Sequence, residues 1–400
     1  MVFVFVLVNY ADKAVIGLSS VAIMHDLGLT NVQFGSLGSA FFFLFSVSGI
    51  AGGFLADRVR SKSLMSVMAV TWACALVPMI WVSSFEILFA SRVVLGAAEG
   101  PAFPVALHAV YKWFPDRRRA LPTSIVASGA AFGTGVIAPV ITWIIVRYGW
   151  HTAFGVLGVA GLVWTALWLS FTQEGRIDEI ETPRGIAEPP APYRQLLLSR
   201  TAMGVYVAGF GAYWVIALNI TWLANYLVKA IHLTPSRTAW IVGLPSVMQM
   251  ILAPSFALFS QFLRNRGFSS RVSRGVLGAS CVVVAGASMI AMAVTPFGLL
   301  KVCLIGLCSS IGSVIFTLGS TLIGEISPPS QRGAMLGVTN SIQTLAGLGA
   351  PFVMGRMIDG GHNAAMGFRT GYLEAGSLVI ACGILASILI DPDADRRRFR

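Results

Sequence analysis

The chain has 400 residues, 56% of them hydrophobic and only 11% charged, and its formal net charge is +11. A soluble domain carries about 25% charged residues to wet its surface, so a water-soluble enzyme is excluded. The positive residues fall in short segments between long apolar runs rather than along one exposed face, which excludes nucleic-acid binding as their meaning.

Each apolar run is long enough to cross a hydrocarbon layer about 30 Å thick as a helix. In chain order the predicted spans are 2–24, 33–56, 63–84, 86–111, 120–146 and 151–171, then 201–228, 237–263, 273–294, 296–323, 332–358 and 367–390. The first has no basic residues ahead of it and no small-residue cleavage site after it, so it is expected to be a retained transmembrane helix rather than a signal peptide. Its abrupt start raises the expectation that the true N-terminus lies upstream. The fold class is therefore an all-α polytopic membrane protein with twelve transmembrane helices. They are expected to form an N-terminal six-helix bundle (1–171), a cytoplasmic linker (172–200), a C-terminal six-helix bundle (201–391) and a basic cytoplasmic tail (392–400). The linker holds Pro183, Pro189, Pro190 and Pro192 and no expected catalytic content.

Of the 28 Lys and Arg residues, 20 fall on one side of this arrangement, among them Arg58, Lys112, Arg271 and Arg396. The excess predicts that both termini face the cytoplasm of a multi-pass inner-membrane protein. A faint repeat supports two related halves. Arg117-Arg118-Arg119-Ala120 leads through a Gly-rich helix to Pro139, and Arg332 leads through another to Pro351. Paired six-helix halves suit a transporter that rocks about a central site.

Ionisable side chains near the bilayer midplane are costly unless a partner or cavity faces them. The first span carries Asn9, Tyr10, Asp12 and Lys13; the fourth carries Arg92 and Glu99 two turns apart on one face. Two carboxylates and two cations at similar depth form a compensated cluster. Glu99 and Asp12 are candidates for proton coupling, and Arg92 and Lys13 for the positive pole of an anionic substrate. A static salt-bridge cluster joining the two helices is the competing reading. Asp57 and Arg58, at the end of the second span, are candidate gating residues, and Tyr213 and Asn219 on the seventh are candidate cavity-lining residues. Glu325 beside Arg332 is expected to form an ion pair at a helix end. The five cysteines lie in apolar spans and are expected to serve helix packing. There is no Walker-type loop, nucleophile elbow or His/Glu zinc helix, so no enzyme, cofactor or metal is expected.

The residues Asn9-Tyr10-x-Asp12-Lys13, Arg92 to Glu99 continuing into Gly100-Pro101-Ala102-Phe103-Pro104, and Gly53 to Lys62 resemble the anion:cation symporters of the major facilitator superfamily. Lys13 stands where that family has Arg, Arg60 where a Gly is usual, Ser61 where a basic residue is, and Gln261 where Asp is common. The resemblance implies the major facilitator fold and proton-coupled uptake of a small organic anion, a sugar acid or another carboxylate. It implies that Arg92 and Lys13 bind the substrate carboxylate, with Asp12 and Glu99 coupling protons. The expected partners are the solute, protons and membrane lipid, with a monomer sufficient for function. The alternatives are a proton-driven exporter, a facilitator of another solute, or a non-transporting membrane sensor.

Overall fold

Hydrocarbon offers no partner to a backbone N–H or C=O, so a spanning segment must satisfy its own, and every apolar run of this chain is helical. The computed structural model describes residues 1–56, 59–81, 84–114, 120–175, 192–328 and 331–399. In chain order the helices are α1 (Val2–Leu18), α2 (Ser20–Asp26), α3 (Asn31–Ala56), α4 (Ser61–Leu76), α5 (Phe85–Glu99), α6 (Ala102–Tyr111), α7 (Ala120–Ala131), α8 (Ala138–Tyr148) and α9 (Trp150–Phe171). There follow α10 (Tyr193–Leu197), α11 (Arg200–Leu218), α12 (Ala224–Lys229), α13 (Pro235–Asn265), α14 (Leu277–Val294), α15 (Leu299–Ile311), α16 (Val314–Ile326), α17 (Arg332–Thr344), α18 (Ala346–Gly360), α19 (Ala364–Leu389) and α20 (Pro392–Phe399).

Among the described residues ten helical stretches are long and apolar enough to cross a membrane, or eleven when α1 and α2, bent by 53°, count as one span. The remaining expected span is the pair α17–α18, interrupted at Leu345. The chain is thus an all-α polytopic membrane protein. Helix starts are set by local chemistry. Thr30 and Gln33 make a reciprocal capping box at α3, at 2.9 and 3.1 Å. Ser84 caps α5, Ser199 caps α11 and Asn363 caps α19. Gly149, with φ 86°, reverses the chain between α8 and α9 in a conformation that L side chains avoid. The tenth predicted span begins at Leu299 rather than 296, because Pro296 and Gly298 precede it and a helix does not continue through them.

The chain divides into two compact units, residues 1–185 with 220–243, and residues 186–219 with 244–400. In the first, α3 lies so close along α5 that a Cβ on Gly96 would collide with the Phe41 carbonyl oxygen. A Cβ on Gly17 would likewise meet the carbonyl of Ile220. Below that contact Asn225 Nδ2 reaches Met24 Sδ at 3.5 Å, and Phe34 meets Trp222 edge-on. In the second unit, α19 packs along α14, where Gly286 and Gly376 bring the two backbones together.

Charged residues tie the helix ends within each unit. Arg274 and Arg396 both pair with Glu325, and Ser270 donates to it. This corrects the expected Glu325–Arg332 pair: Arg332 Nε instead donates to the Ser327 carbonyl, 3.2 Å away, just beyond the end of α16. The predicted tail, 392–400, is helical over its described residues. It forms α20, whose Asp395 accepts from the Thr201 backbone N–H at 2.8 Å. Cys281, Cys308 and Cys382 are buried, but Cys74 and Cys303 are exposed, so two of the five do not serve packing as expected.

In the first unit the tie is Glu174, just past α9. Its oxygens accept from the backbone N–H groups of Ser61 (2.9 Å) and Lys62 (3.0 Å) and from Lys112 Nζ (2.7 Å). Lys62 Nζ in turn donates to the carbonyls of Leu169 and Thr172. One carboxylate therefore satisfies the open first turn of α4 and holds it to the ends of α6 and α9. Burial opposes ionisation of Glu174. The hydrogen bonds from Lys112, Lys62 and Ser61 and the charge of Lys112 outweigh it, and they hold the carboxyl below the usual carboxylate range.

A group whose pKa falls on folding stabilises the fold above its ordinary pKa, about 4.3 for Glu. Glu174→Gln is expected to cost about 1–2 kcal/mol at pH 7, read as a lower unfolding temperature in detergent. The gap from wild type should close as the pH falls below about 4. A gap that is the same at pH 7 and at low pH would contradict the role of the carboxylate charge.

Candidate functional site

Helix α1 brings Asn9, Asp12 and Lys13 to a buried face, and α5 brings Arg92 and Glu99 to the same interior. All five side chains are almost wholly buried, Arg92 at 2% and Glu99 at 1% exposure. Lys13 Nζ donates to Asn9 Oδ1 at 2.7 Å, one turn back on the same helix, and lies 3.4 Å from Glu99 Oε2. That second separation is an ion pair without hydrogen-bond geometry, since Glu99 Oε2 has no hydrogen-bond partner among the described residues. Asp12 lies in the same cluster, where the charge of Glu99 bears on it. The expected cluster of two cations and two carboxylates is therefore assembled in the first unit.

Aromatic rings complete it. The Lys13 ammonium lies 4.2 Å from the Tyr10 ring centre and 5.1 Å from that of Phe45, and the Arg92 guanidinium lies 5.0 Å from the Phe41 ring. Ring faces stabilise cations without hydrogen bonding them, so both cations are held with donors to spare. Arg92 Nε and Asn9 Nδ2 are buried without a hydrogen-bond acceptor among the described residues. Sequence reasoning missed Phe41 and Phe45. Their spacing of four residues on α3 was the signal available; Phe41 packs at Gly96 of α5 and Phe45 at Gly100 just past it.

The local backbone explains the geometry. Gly96 lets α3 and α5 approach closely enough for Phe41 to reach Arg92. Helix α5 ends at Glu99 because Gly100 and Pro101 follow, and the chain resumes as α6 at Ala102. The carboxylate thus sits at a helix break.

Tyr213 and Asn219 belong to the second unit. Tyr213 meets Phe316 edge-on at 6.2 Å, and Asn219 donates to Ser309 where α11 loosens into a π-helical turn, Asn219–Leu223. Such turns recur at functional sites. Ser309 was not singled out from sequence. Asp57 and Arg58 lie outside the described residues. No group of three or more His, Cys, Asp or Glu side chains suited to a metal ion occurs among the described residues.

Comparison with known proteins gives a match to the family model described as Major Facilitator Superfamily over residues 2–351. The chain is 26% identical to the probable galactarate/D-glucarate transporter GudP of Bacillus subtilis, covering 98% of this chain and 91% of that one. It is 26% identical to the D-galactonate transporter of Escherichia coli (99% and 95% covered). It is 28% identical to the probable sulfoacetate transporter SauU of Cupriavidus necator (96% and 91%). Among solved structures it resembles a bacterial homolog of the human lysosomal transporter Spinster, inward-facing and unoccupied, with TM-score 0.78 at 18% identity (100% and 97% covered). It also resembles a D-xylose-proton symporter, TM-score 0.76 at 15% identity (98% and 97%).

Removing one partner of a buried pair leaves the other charge uncompensated, at a cost of about 3–5 kcal/mol. Lys13→Met is expected to lower the unfolding temperature in detergent, and adding Glu99→Gln to recover part of the loss. Strictly additive losses would show that the two side chains do not act on each other.

Proposed function

Because the chain belongs to the Major Facilitator Superfamily and is a secondary transporter of a small organic solute, we propose that it carries an organic anion, a sugar acid or another small carboxylate, into the cytoplasm together with protons. The observation that carries this reading is the pair of buried, unsatisfied donors, Arg92 Nε and Asn9 Nδ2, beside the Lys13 ammonium. An unpaired buried donor costs about 1–3 kcal/mol, more when it is charged, and a substrate carboxylate would supply the missing acceptor. The printed names of three relatives, galactarate/D-glucarate, D-galactonate and sulfoacetate transporters, all refer to small organic anions and support the same class.

Asp12 and Glu99 supply the coupling. Two neighbouring buried carboxyls do not both carry charge comfortably, so the pair is suited to hold a proton. With the pair protonated, the cluster is net positive and attracts an anion. Loss of the proton to the cytoplasm returns a carboxylate to Lys13 and Arg92, which then compete less well for the substrate, and the anion leaves. A coupling of 1–3 kcal/mol between the two sites is enough to drive accumulation.

The remaining expectations fit this reading as parts of the proposal. The halves 1–171 and 201–391 move as two six-helix bundles of the anion:cation symporter type. Tyr213 and Asn219 are proposed solute-contacting residues of the second half, and Asp57 and Arg58 act in gating. The basic-residue bias keeps both termini in the cytoplasm of the inner membrane.

Counterflow in proteoliposomes across sugar acids, dicarboxylates and aromatic carboxylates tests the proposal. One carboxylate is expected to exchange, and its net uptake to rise under an inward proton gradient. Glu99→Gln is expected to keep exchange and lose accumulation. Arg92→Ala is expected to raise the half-saturating concentration about 10–100-fold. Silence across the panel from folded, inserted protein would overturn the organic-anion reading.

A further inference from the structure

The ionisable groups within the apolar helices are nearly all accounted for. Asp12, Lys13, Arg92 and Glu99 form the cluster above, and Lys301 donates to the Thr295 carbonyl at 2.9 Å. Two residues of α19 are not: Arg369, near the start of the helix, and Glu374. Glu374 is the deeper. It lies on α19, about 15 Å along the axis from Ala364 and about 22 Å from Leu389, within one of the chain's most apolar stretches. Its side chain is exposed and makes no hydrogen bond or ion pair among the described residues. A carboxylate in such a stretch is costly unless something pairs with it.

Beside it is a cavity of about 230 Å³ in the second unit. Its walls include Trp214 and Leu218 from α11, Met354 from α18 and Leu378 from α19, and Glu374 is the one ionisable side chain among them. Gly371, one turn back on α19, keeps the wall open there: a Cβ would collide with Met354 Sδ. The volume is below the roughly 300–1,000 Å³ of drug-sized pockets, so the occupant is small.

The chemistry of the walls selects it. An anion would face an unpaired carboxylate, so this is not a second place for the carboxylate substrate. A neutral apolar molecule would fill the walls and leave Glu374 unpaired. A small organic ammonium satisfies both demands: its charge meets the carboxylate beside the indole of Trp214, and its apolar body meets Leu218, Met354 and Leu378. We propose that the Glu374 cavity binds a small organic ammonium carried on an apolar body. The ammonium can belong to a free amine or to the headgroup of an aminophospholipid, since the chemistry is shared.

The test uses the full-length protein in phosphatidylglycerol nanodiscs, with benzyltrimethylammonium as probe and its uncharged isostere neopentylbenzene as control. The ammonium is expected to raise the unfolding temperature saturably and the isostere to do so weakly. Glu374→Gln, a near-isosteric change at an exposed position, is expected to raise the half-saturating concentration about tenfold. Trp214→Leu is expected to raise it less. Repeating the titration with phosphatidylethanolamine in the discs identifies the source: a shift to higher probe concentration means the lipid amine occupies the cavity, and an unchanged curve means a free amine does. Equal stabilisation by probe and isostere, or a Glu374→Gln titration that overlays wild type, would overturn the proposal.

Discussion

The structure depends on one constraint, the cost of holding Asp12, Lys13, Arg92 and Glu99 in a dry interior. Each would be untenable alone, and together they are neutral. Much of the first unit compensates them. Gly96 draws α3 against α5 so that Phe41 covers Arg92, Tyr10 and Phe45 flank Lys13, and Asn9 takes the Lys13 hydrogen bond. The compensation is incomplete on both sides. Arg92 Nε and Asn9 Nδ2 are left without acceptors, which suits an anion, and Asp12 Oδ1 and Glu99 Oε2 are left without donors, which suits a proton.

Away from the cluster, each unit is tied at its helix ends by one carboxylate. Glu174 gathers the starts and ends of α4, α6 and α9, and Glu325 gathers the start of α14 and the helix α20. The two solve one problem with different charges. In the first unit the acid follows the last helix and meets a lysine after α6. In the second the acid ends α16 and meets an arginine that follows α19. Ties of this kind keep the helices of a unit together while leaving the buried cluster free to change its protonation.

The spans were legible because an apolar run of about twenty residues in this chain has one stable form in a bilayer, and the edges of most predicted spans lie close to the observed helices. The cluster was legible too, because Asp12 and Glu99 are conspicuous in apolar surroundings. What could not be read was side-chain partnership across the fold. Glu325 was matched to its near neighbour Arg332, whereas folding brings it Arg274 and Arg396 from 51 and 71 residues away. Glu174, at the start of the predicted linker, finds its partners Ser61 and Lys62 more than 110 residues away. Glu374 was not legible in the same way, because no ionisable residue lies three, four or seven positions from it along α19.

The central claim is that one cluster binds both the anion and the proton. It is tested most directly by measuring proton uptake when the transported carboxylate is added to the purified protein in weakly buffered detergent solution. The account predicts that binding draws protons from solution in wild type and none in Glu99→Gln, although the variant still binds. Equal uptake by both proteins, or binding without any uptake by wild type, would contradict it.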